Sequence, residues 1–425
     1  MSVAEKSTVP TRRRRNSRRD PKQKIRASVT FCHIVRNTLG TWLAVRYRVR
    51  AQNRELVKRL RPPYLLLANH ACVWDPFMMG LLVPKPIHYV ISDATFRSRL
   101  VDFGLSLLGG IPKTKAMSDM DSVKNIMRVK DRGGTIGIFP EGQNTWDGHT
   151  LPLVHSTAKL AKLLRIPIVT ARIAGSYLSK PRWSKRRRRG RVVIRFDLAF
   201  TAEQLKATSA EAIDERIAEL LTHNEFEFNR NAQVKFLGTD RAEYLERALF
   251  VCPSCRHIAT LRSEGNAFTC TSCGYSVHYT LHGTFRSGKG ELVFDNIREW
   301  NLWQVEEFKH QLASYVAKAP DSPILRENDV RVQIGYKSMP LAPFHNGALE
   351  LYADRIVLRP ESGGSAEFPV RGIRGANVQN NEHWEFYSGA DLFKITIRDP
   401  RGCTYKWDLA ARLIGNAEDK NRSVE

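Results

Sequence analysis

The stretch LLLANHACVWDPFMMG, residues 65–80, decides the fold of the first half of this 425-residue chain. An apolar run ends at Asn69-His70, and a second apolar pattern starts at Asp75-Pro76. The first run is typical of a buried strand, and Asp followed by Pro is typical of a helix start. Side chains five residues apart on one continuous helix point about 140° away from each other. We therefore predict a strand, a bend and a helix that turn His70 and Asp75 toward each other.

A histidine beside a carboxylate is suited to proton transfer. The carboxylate fixes the tautomer of the imidazole, and the other ring nitrogen can take a proton from an alcohol. We find no serine or cysteine nucleophile with a base around it, which favours direct attack by a substrate hydroxyl. The alternative is structural, since Asp-Pro is a common helix start and a histidine at a strand end is often only hydrogen-bonded.

Short apolar runs alternate with helical patterns through residues 50–231, which we assign to one domain. This alternation predicts an α/β fold with a mixed, largely parallel sheet flanked by helices. The predicted strands are 64–68, 87–91, 135–139, 166–173 and 191–196.

A second polar turn follows the strand in GGTIGIFPEGQNTWDG, residues 133–148. Glu141 and Gly142 stand at the end of that strand, as His70 does at the end of the first. The stretch by itself can be a simple Pro-Glu-Gly turn. Parallel strands that end at the same edge of a sheet bring their polar residues together, and this edge is where α/β sheets place their chemistry.

These stretches resemble the motifs of the PlsC-like glycerolipid (1-acylglycerol-3-phosphate) acyltransferases. NHACVWD (69–75) matches the NHx4D motif and FPEG (139–142) matches the FPEG motif. GGIPKTK (109–115) and IPIVTARI (166–173) fall where this family has its phosphate-contacting block and its fourth, apolar block. The resemblance covers roughly residues 40–230.

The resemblance implies transfer of a fatty acyl group from acyl-CoA or acyl carrier protein to the hydroxyl of a glycerolipid such as a lysophospholipid. His70 would be the general base and Asp75 would orient it. The substrate-binding residues that it implies are Lys113 or Lys115 for the phosphate, and Glu141 and Gly142 for the glycerol portion.

Two departures from the family weaken the expected phosphate recognition. The phosphate block carries Lys where relatives usually have Arg, and a lysine lacks the bidentate fork of a guanidinium. After FPEG, residues 143–145 read Gln-Asn-Thr where most relatives have Thr-Arg-Ser. Acyl transfer is therefore better supported by the sequence than any particular acceptor.

Four cysteines mark a separate module over residues 245–285. CPSC (252–255) and CTSC (270–273) are separated by fourteen residues, which is the spacing of a zinc ribbon. The predicted ligands are Cys252, Cys255, Cys270 and Cys273. Because all four positions are thiolates, we expect a structural zinc ion; iron in a rubredoxin-like site is the alternative.

The formal net charge of +24 indicates an anionic partner. Residues 1–27 form a basic tail that we expect to be disordered. Residues 28–49 predict an amphipathic helix that suits either a membrane surface or packing on the domain. We expect the tail, this helix and the basic block 180–191 to lie against anionic lipid headgroups.

Localisation follows from what the sequence lacks. It has no apolar run long enough for a membrane span and no secretory signal, so we predict a cytoplasmic protein that is peripheral on the cytoplasmic face of a membrane.

The remainder, residues 286–425, predicts a helix followed by a small β-rich domain with a faint resemblance to pleckstrin-homology or GRAM-like modules. An alternative function for the whole chain is a zinc-ribbon nucleic-acid binder or a membrane scaffold without catalysis. Nucleic acid is the less favoured partner, because aromatic residues are not interleaved with the arginine runs.

Overall fold

A computed structural model of the chain describes residues 25–114, 119–318, 321–379 and 381–422. Lys115, which was predicted to bind phosphate, and residues 1–24 of the basic tail lie outside these ranges.

The first half of the chain is built on one sheet. Its strands are β1 Arg50–Gln52, β2 Leu65–Ala68, β3 Ile87–Ser92, β4 Ile111–Lys113, β5 Thr135–Ile138, β6 Ile168–Ala174 and β7 Val193–Phe200. Within the described ranges it is a seven-stranded sheet in the order β1-β7-β6-β2-β5-β3-β4. The β6–β7 pair is antiparallel, and the other neighbours are parallel. The predicted mixed, largely parallel sheet is confirmed, and the sequence missed only the two three-residue strands β1 and β4.

Helices cover both faces of this sheet. They are α1 Val29–Val35, α2 Thr41–Arg46, α3 Arg54–Arg59, α4 Asp75–Leu82, α5 Arg99–Leu107, α6 Met120–Asp131, α7 Ser156–Leu164, α8 Ser176–Ser179, α9 Ala202–Ala207, α10 Ala210–Leu221 and α11 Glu225–Ala232. Strand β2 shows why its sequence is apolar without alternation. Leu65 and Leu67 belong to the core on one face, and Leu66 and Ala68 belong to the core on the other.

The predicted N-terminal helix consists of α1 and α2, joined by a π-helical turn over Arg36–Gly40. Leu43 packs into the core, while Ile34, Trp42 and Val45 are exposed. In the described part of the chain, none of the helices is both long enough and apolar enough to cross a membrane.

The module that contains the four cysteines includes a small antiparallel sheet, and a long helix follows it. Its strands are β8 Leu261–Glu264, β9 Ala267–Cys270, β10 Ser276–Tyr279 and β11 Phe285–Lys289, and the helix is α12 Ile297–Lys318. Trp300 of α12 is fully buried and packs against Phe268 and Phe285 of this sheet, so the module and the helix share one core.

The last part of the chain is the predicted β-rich region. Its strands are β12 Leu325–Gly335, β13 Ala342–Leu351, β14 Arg355–Pro360, β15 Ala366–Pro369, β16 Ile373–Gln379, β17 His383–Ser388 and β18 Asp391–Ile397, and the chain closes with helix α13 Thr404–Arg422. The strands are antiparallel in the order β15-β14-β13-β12-β18-β17-β16. The likeness to a pleckstrin-homology or GRAM-like module stays a prediction.

The basic block 180–191 differs from its prediction. Trp183 and Arg188 are buried, and Arg182 is only 6% exposed, so these residues do not face lipid headgroups. Arg188 stacks on Trp183 and Tyr279, at centroid distances of 5.1 and 4.6 Å. The block therefore contacts the cysteine module, since Tyr279 belongs to β10. The buried arginines of the block lie against ring faces and carbonyl oxygens. Lys185, Arg186, Arg187 and Arg189 remain exposed.

Candidate active site

His70 and Asp75 are in contact, as the bend between them was predicted to allow. The Nδ1 atom of His70 lies 3.0 Å from Oδ2 of Asp75. A carboxylate can only accept, so this contact places the imidazole proton on Nδ1 and leaves Nε2 as the basic nitrogen. The His70 side chain is 18% exposed, and it lines a cavity of about 660 Å³. The pair therefore has the geometry of a base with its orienting carboxylate, open to a ligand on one side.

The Asp75 carboxylate is fully buried and holds the whole bend. Its Oδ2 also accepts from the backbone N–H groups of Ala71 and Cys72, each at 2.8 Å. Its Oδ1 accepts from the Ser176 hydroxyl at 2.5 Å. Asp75 is the first helical residue of α4, with Trp74 as N-cap. The carboxylate points back into the loop, where the His70 ring and the backbone N–H groups of Ala71 and Cys72 donate to it.

Two contacts fix the plane of the His70 ring and its backbone. The ring stacks on Phe139, the first residue of FPEG, with centroids 4.0 Å apart. The His70 carbonyl oxygen accepts from the backbone N–H of Thr145 at 3.2 Å. The loops after β2 and β5 therefore form one unit at the carboxyl edge of the sheet.

Glu141 connects the same loops. Its Oε1 accepts from the backbone N–H of His70 at 2.6 Å, and its Oε2 accepts from that of Leu151 at 2.7 Å. Burial raises the pKa of Glu141 to about 8, although the amides of Leu151 and His70 partly offset this rise. Both carboxyl oxygens are used within the protein, so Glu141 is placed to position the His70 backbone.

Cys72 lies inside the bend and is buried. Burial raises the pKa of its thiol well above the usual value, and the nearby Asp75 charge adds to this rise. A thiol that stays protonated is a poor nucleophile. The structure thus agrees with a site in which the substrate supplies the nucleophile.

The cavity that contains His70 has a largely aliphatic wall. Its apolar lining includes Val83, Ile87, Val101, Leu105 and Leu108. A wall of this kind accommodates an alkyl chain.

The predicted substrate-binding residues are placed differently from one another. Gly142 lines the cavity, and the block 109–115 contributes Gly110 to its wall. The Lys113 side chain is exposed at the end of β4. Within the described residues, positive charge in the lining comes from Arg36, Lys85, Lys180 and Arg182.

The sequence analysis missed three contributions to the site. Ser176 follows Gly175 at the end of β6, and a serine beside a glycine at a strand end was the available signal. Lys180 and Arg182 were visible only as a basic run. Gln379 and Asn381, which line the cavity from the β-rich region, carry no local signal at all.

The four cysteines form the second candidate site. Their Sγ atoms all lie within 4.8 Å of one another, and the Cys252–Cys273 and Cys255–Cys270 pairs are each 3.7 Å apart. Tetrahedral thiolates at about 2.3 Å from an ion are separated by about 3.8 Å, so this arrangement can hold a metal ion. The predicted cysteine cluster is confirmed as a possible metal site.

The first half of this chain is similar to known acyltransferases. The model of the acyltransferase family matches residues 48–174. The 1-acyl-sn-glycerol-3-phosphate acyltransferase of Bacillus subtilis is 24% identical over 189 residues, which cover 43% of this chain and 94% of that protein. The yeast enzyme of the same name, from Saccharomyces cerevisiae, is 24% identical over 181 residues, which cover 41% of this chain and 57% of that protein.

A solved structure is also similar. The PlsC acyltransferase of Thermotoga maritima superposes with a TM-score of 0.40 at 18% identity, covering 45% of this chain and 76% of that chain.

The family match and the relatives define the class of protein: it is an acyltransferase. Residues 48–174 match the acyltransferase family, and the resemblance to PlsC-like acyltransferases that the motifs carried is confirmed.

We expect Ser176→Ala to lower acyl transfer by about tenfold or more, because a hydrogen bond to a charged group contributes about 1.5–3 kcal/mol. The matched control is Ser179→Ala. Ser179 lies on the same short helix, is equally buried, and donates to the Gly175 carbonyl at 2.7 Å instead of to the dyad. Initial rates of both variants at one protein concentration test this prediction, and equal losses would show that Ser176 only supports the helix.

Glu141→Gln should change how stability depends on pH. The pKa of Glu141 is about 8 in the folded protein and 4.5 when unperturbed, so its contribution is complete below about pH 4.5 and is lost as pH rises through about 8. Glutamine does not titrate, and its NH₂ group replaces one of the two oxygens that accept from the backbone N–H groups of His70 and Leu151. Two N–H donors then face each other. The variant should therefore be less stable than wild type at about pH 5, and the gap should narrow toward pH 9.

Melting temperatures across that range measure the gap. The exposed Glu227→Gln variant removes the same charge from the surface and is the control. A Glu141→Gln gap that does not change with pH contradicts the raised pKa.

Proposed function

We propose that this protein transfers a fatty acyl group from an acyl thioester, either acyl-CoA or acyl carrier protein, to a hydroxyl of a glycerolipid acceptor. One observation carries the proposal. The His70 imidazole is hydrogen-bonded through Nδ1 to the buried Asp75 and faces an aliphatic cavity. The names of the relatives support a lysophosphatidate-like acceptor for the same chemistry.

The reaction needs one base and no covalent enzyme intermediate. The free Nε2 of His70 takes the proton of the acceptor hydroxyl, and the oxygen attacks the thioester carbonyl. Asp75 stabilises the imidazolium that forms. The tetrahedral intermediate expels the thiolate, which takes the proton back from His70. The products are the ester and the free thiol, and the site returns to its starting protonation state.

The acceptor lies, in this proposal, against the FPEG turn. Gly142 lines the cavity and allows close approach of the glycerol portion, while Glu141 holds the turn beside His70. The aliphatic wall receives the alkyl chains. The resemblance implies Lys113 or Lys115 as the phosphate ligand, but Lys113 is exposed and is not among the residues that line the cavity.

A membrane surface with anionic lipids is the proposed location of the substrate. Leu100 and Phe103 of α5 are 81% and 66% exposed, and the neighbouring residues Val101 and Leu105 line the cavity. Helix α1 lines the same opening through Val35. Exposed apolar side chains beside a cavity entrance suit the interfacial region of a bilayer, and the exposed arginines of the block add attraction to acidic headgroups.

We further propose that the cysteine cluster holds a structural zinc ion. Four thiolates leave no open position for a substrate or water, which is the arrangement of structural sites. Bound zinc would stabilise the two turns that carry the cysteines and thereby the core shared with α12.

His70→Ala should lower the rate of acyl transfer by about 10²–10⁴-fold, the usual contribution of a general base. Purified protein is incubated with labelled acyl-CoA or acyl carrier protein and a panel of lysolipids, and products are read by mass spectrometry. His155→Ala is the control, because its side chain is almost fully exposed. Undiminished transfer by a folded His70→Ala protein would rule out this base.

Purified wild-type protein should contain about one zinc ion per chain, and Cys270→Ser should lose it and melt at a lower temperature. Cys403→Ser is the matched control, since Cys403 is a buried cysteine outside the cluster. Elemental analysis of both variants gives the metal content. Iron in place of zinc, or a metal content unaffected by Cys270→Ser, would contradict the assignment.

A further inference from the structure

Two cationic side chains, one half-buried and one buried, lie on the segment that follows α8 and line the cavity that contains His70. They are Lys180 and Arg182. Among the residues that the structure describes, neither forms an ion pair with a carboxylate. Positive charge without a carboxylate partner inside a substrate cavity points to an anionic group on the ligand.

Arg182 is held by neutral acceptors. Its Nη1 donates to the Asn144 carbonyl at 2.6 Å, its Nη2 to the Val378 carbonyl at 2.8 Å, and its Nε to Oδ1 of Asn381 at 3.0 Å. The guanidinium also stacks on Trp146 at 4.1 Å. These contacts fix its position without a salt bridge, although the Asp408 carboxylate acts to raise the pKa of Arg182. Two of its five N–H groups remain for other acceptors.

Lys180 also has only a neutral hydrogen-bond acceptor. Its Nζ donates to the carbonyl oxygen of Ser184, another neutral acceptor. Burial lowers the pKa of Lys180 to about 8 and that of Arg182 to about 10. Arg187 and Arg188 also act to lower the pKa of Lys180. A bound anion would offset the free-energy cost of keeping these cations out of water.

The C-terminal region closes this part of the cavity. Gln379, the last residue of β16, and Asn381, on the turn before β17, line it together with Arg182. Strand β17 is held against the α/β half by Arg97, whose guanidinium donates to both carboxylate oxygens of Glu385 at 2.5 and 3.1 Å. The amides of the turn are therefore fixed next to the two cations.

We propose that Lys180 and Arg182, completed by Asn381, bind a phosphate group of the substrate. This inference rests on the proposed function. The positive charge that most relatives carry at residues 143–145, and that this chain lacks there, would come from Lys180 and Arg182. The Arg182 guanidinium lies at the same loop, because it donates to the Asn144 carbonyl.

The acceptor is the source of this phosphate. In a glycerol phosphate, a three-carbon backbone separates the reacting hydroxyl from the phosphate, so the phosphate must lie close to the base. Lys180 and His70 line the same cavity, and the Lys180 backbone N–H donates to the carbonyl of Ser176, whose hydroxyl binds Asp75. The phosphates of CoA lie beyond the pantetheine arm, much farther from the thioester.

The test uses the full chain and Lys180→Met, which keeps the length of the side chain and removes its charge. The control is Lys185→Met in the same block, since Lys185 is exposed and pairs with Glu382 at 3.5 Å. We expect the KM for a lysophosphatidate acceptor to rise about tenfold or more in Lys180→Met, with the KM for acyl-CoA unchanged. With a monoacylglycerol acceptor, which has no phosphate, Lys180→Met should match wild type. Lys180→Arg should recover most of the lost affinity.

Two results of these KM measurements would contradict the proposal. A raised KM for acyl-CoA alone would move the phosphate to the donor and overturn the assignment to the acceptor. Equal KM values in Lys180→Met and wild type would overturn the site.

A direct binding measurement tests the site without relying on acyl transfer. Calorimetry with glycerol 3-phosphate should show binding to wild type and Lys185→Met, and a loss of about tenfold or more in Lys180→Met. Loss of this binding in a protein that transfers no acyl group would support the phosphate site while the proposed function fails. No binding to wild type would overturn the site itself.

Discussion

The site depends on one buried carboxylate. Asp75 has no exposed surface, and it accepts hydrogen bonds from an imidazole, two backbone amides and a hydroxyl. A buried charge is tolerated only when such donors surround it. The same donors come from the bend after β2 and from the helix after β6, so the need to satisfy this carboxylate ties two strand ends together. Orientation of His70 is a consequence of that requirement.

The loop after β5 is stabilised from outside the α/β sheet. Asp147 in this loop accepts from Arg298 at 2.6 Å and from Asn301 at 2.8 Å, both on α12. Trp146 stacks on Tyr405 of α13 with centroids 4.8 Å apart. The C-terminal half is therefore part of the structure that holds Phe139, Glu141 and Thr145 against His70.

The basic block shows how one run of sequence can serve two roles. Its buried members lie between the α/β half, the cysteine module and the β-rich region, where ring faces and carbonyl oxygens surround them. Its exposed members remain available to an anionic surface. Composition gives the same charge to both groups, because charge counting carries no information about burial.

The sequence by itself determined the elements that are local. Apolar runs predicted the five longer strands of the first sheet, the pattern NHACVWD predicted a bend that brings His70 to Asp75, and cysteine spacing predicted the cluster. Each of these depends on residues that are close in the chain, so periodicity and turn chemistry reveal them. Tertiary structure alone decided that Ser176 binds Asp75 and that Arg182 and Asn381 meet at the cavity. It also decided that both carboxyl oxygens of Glu141 accept from backbone N–H groups. Those contacts join segments separated by up to about two hundred residues, and no local propensity encodes which distant donor a buried polar atom will find.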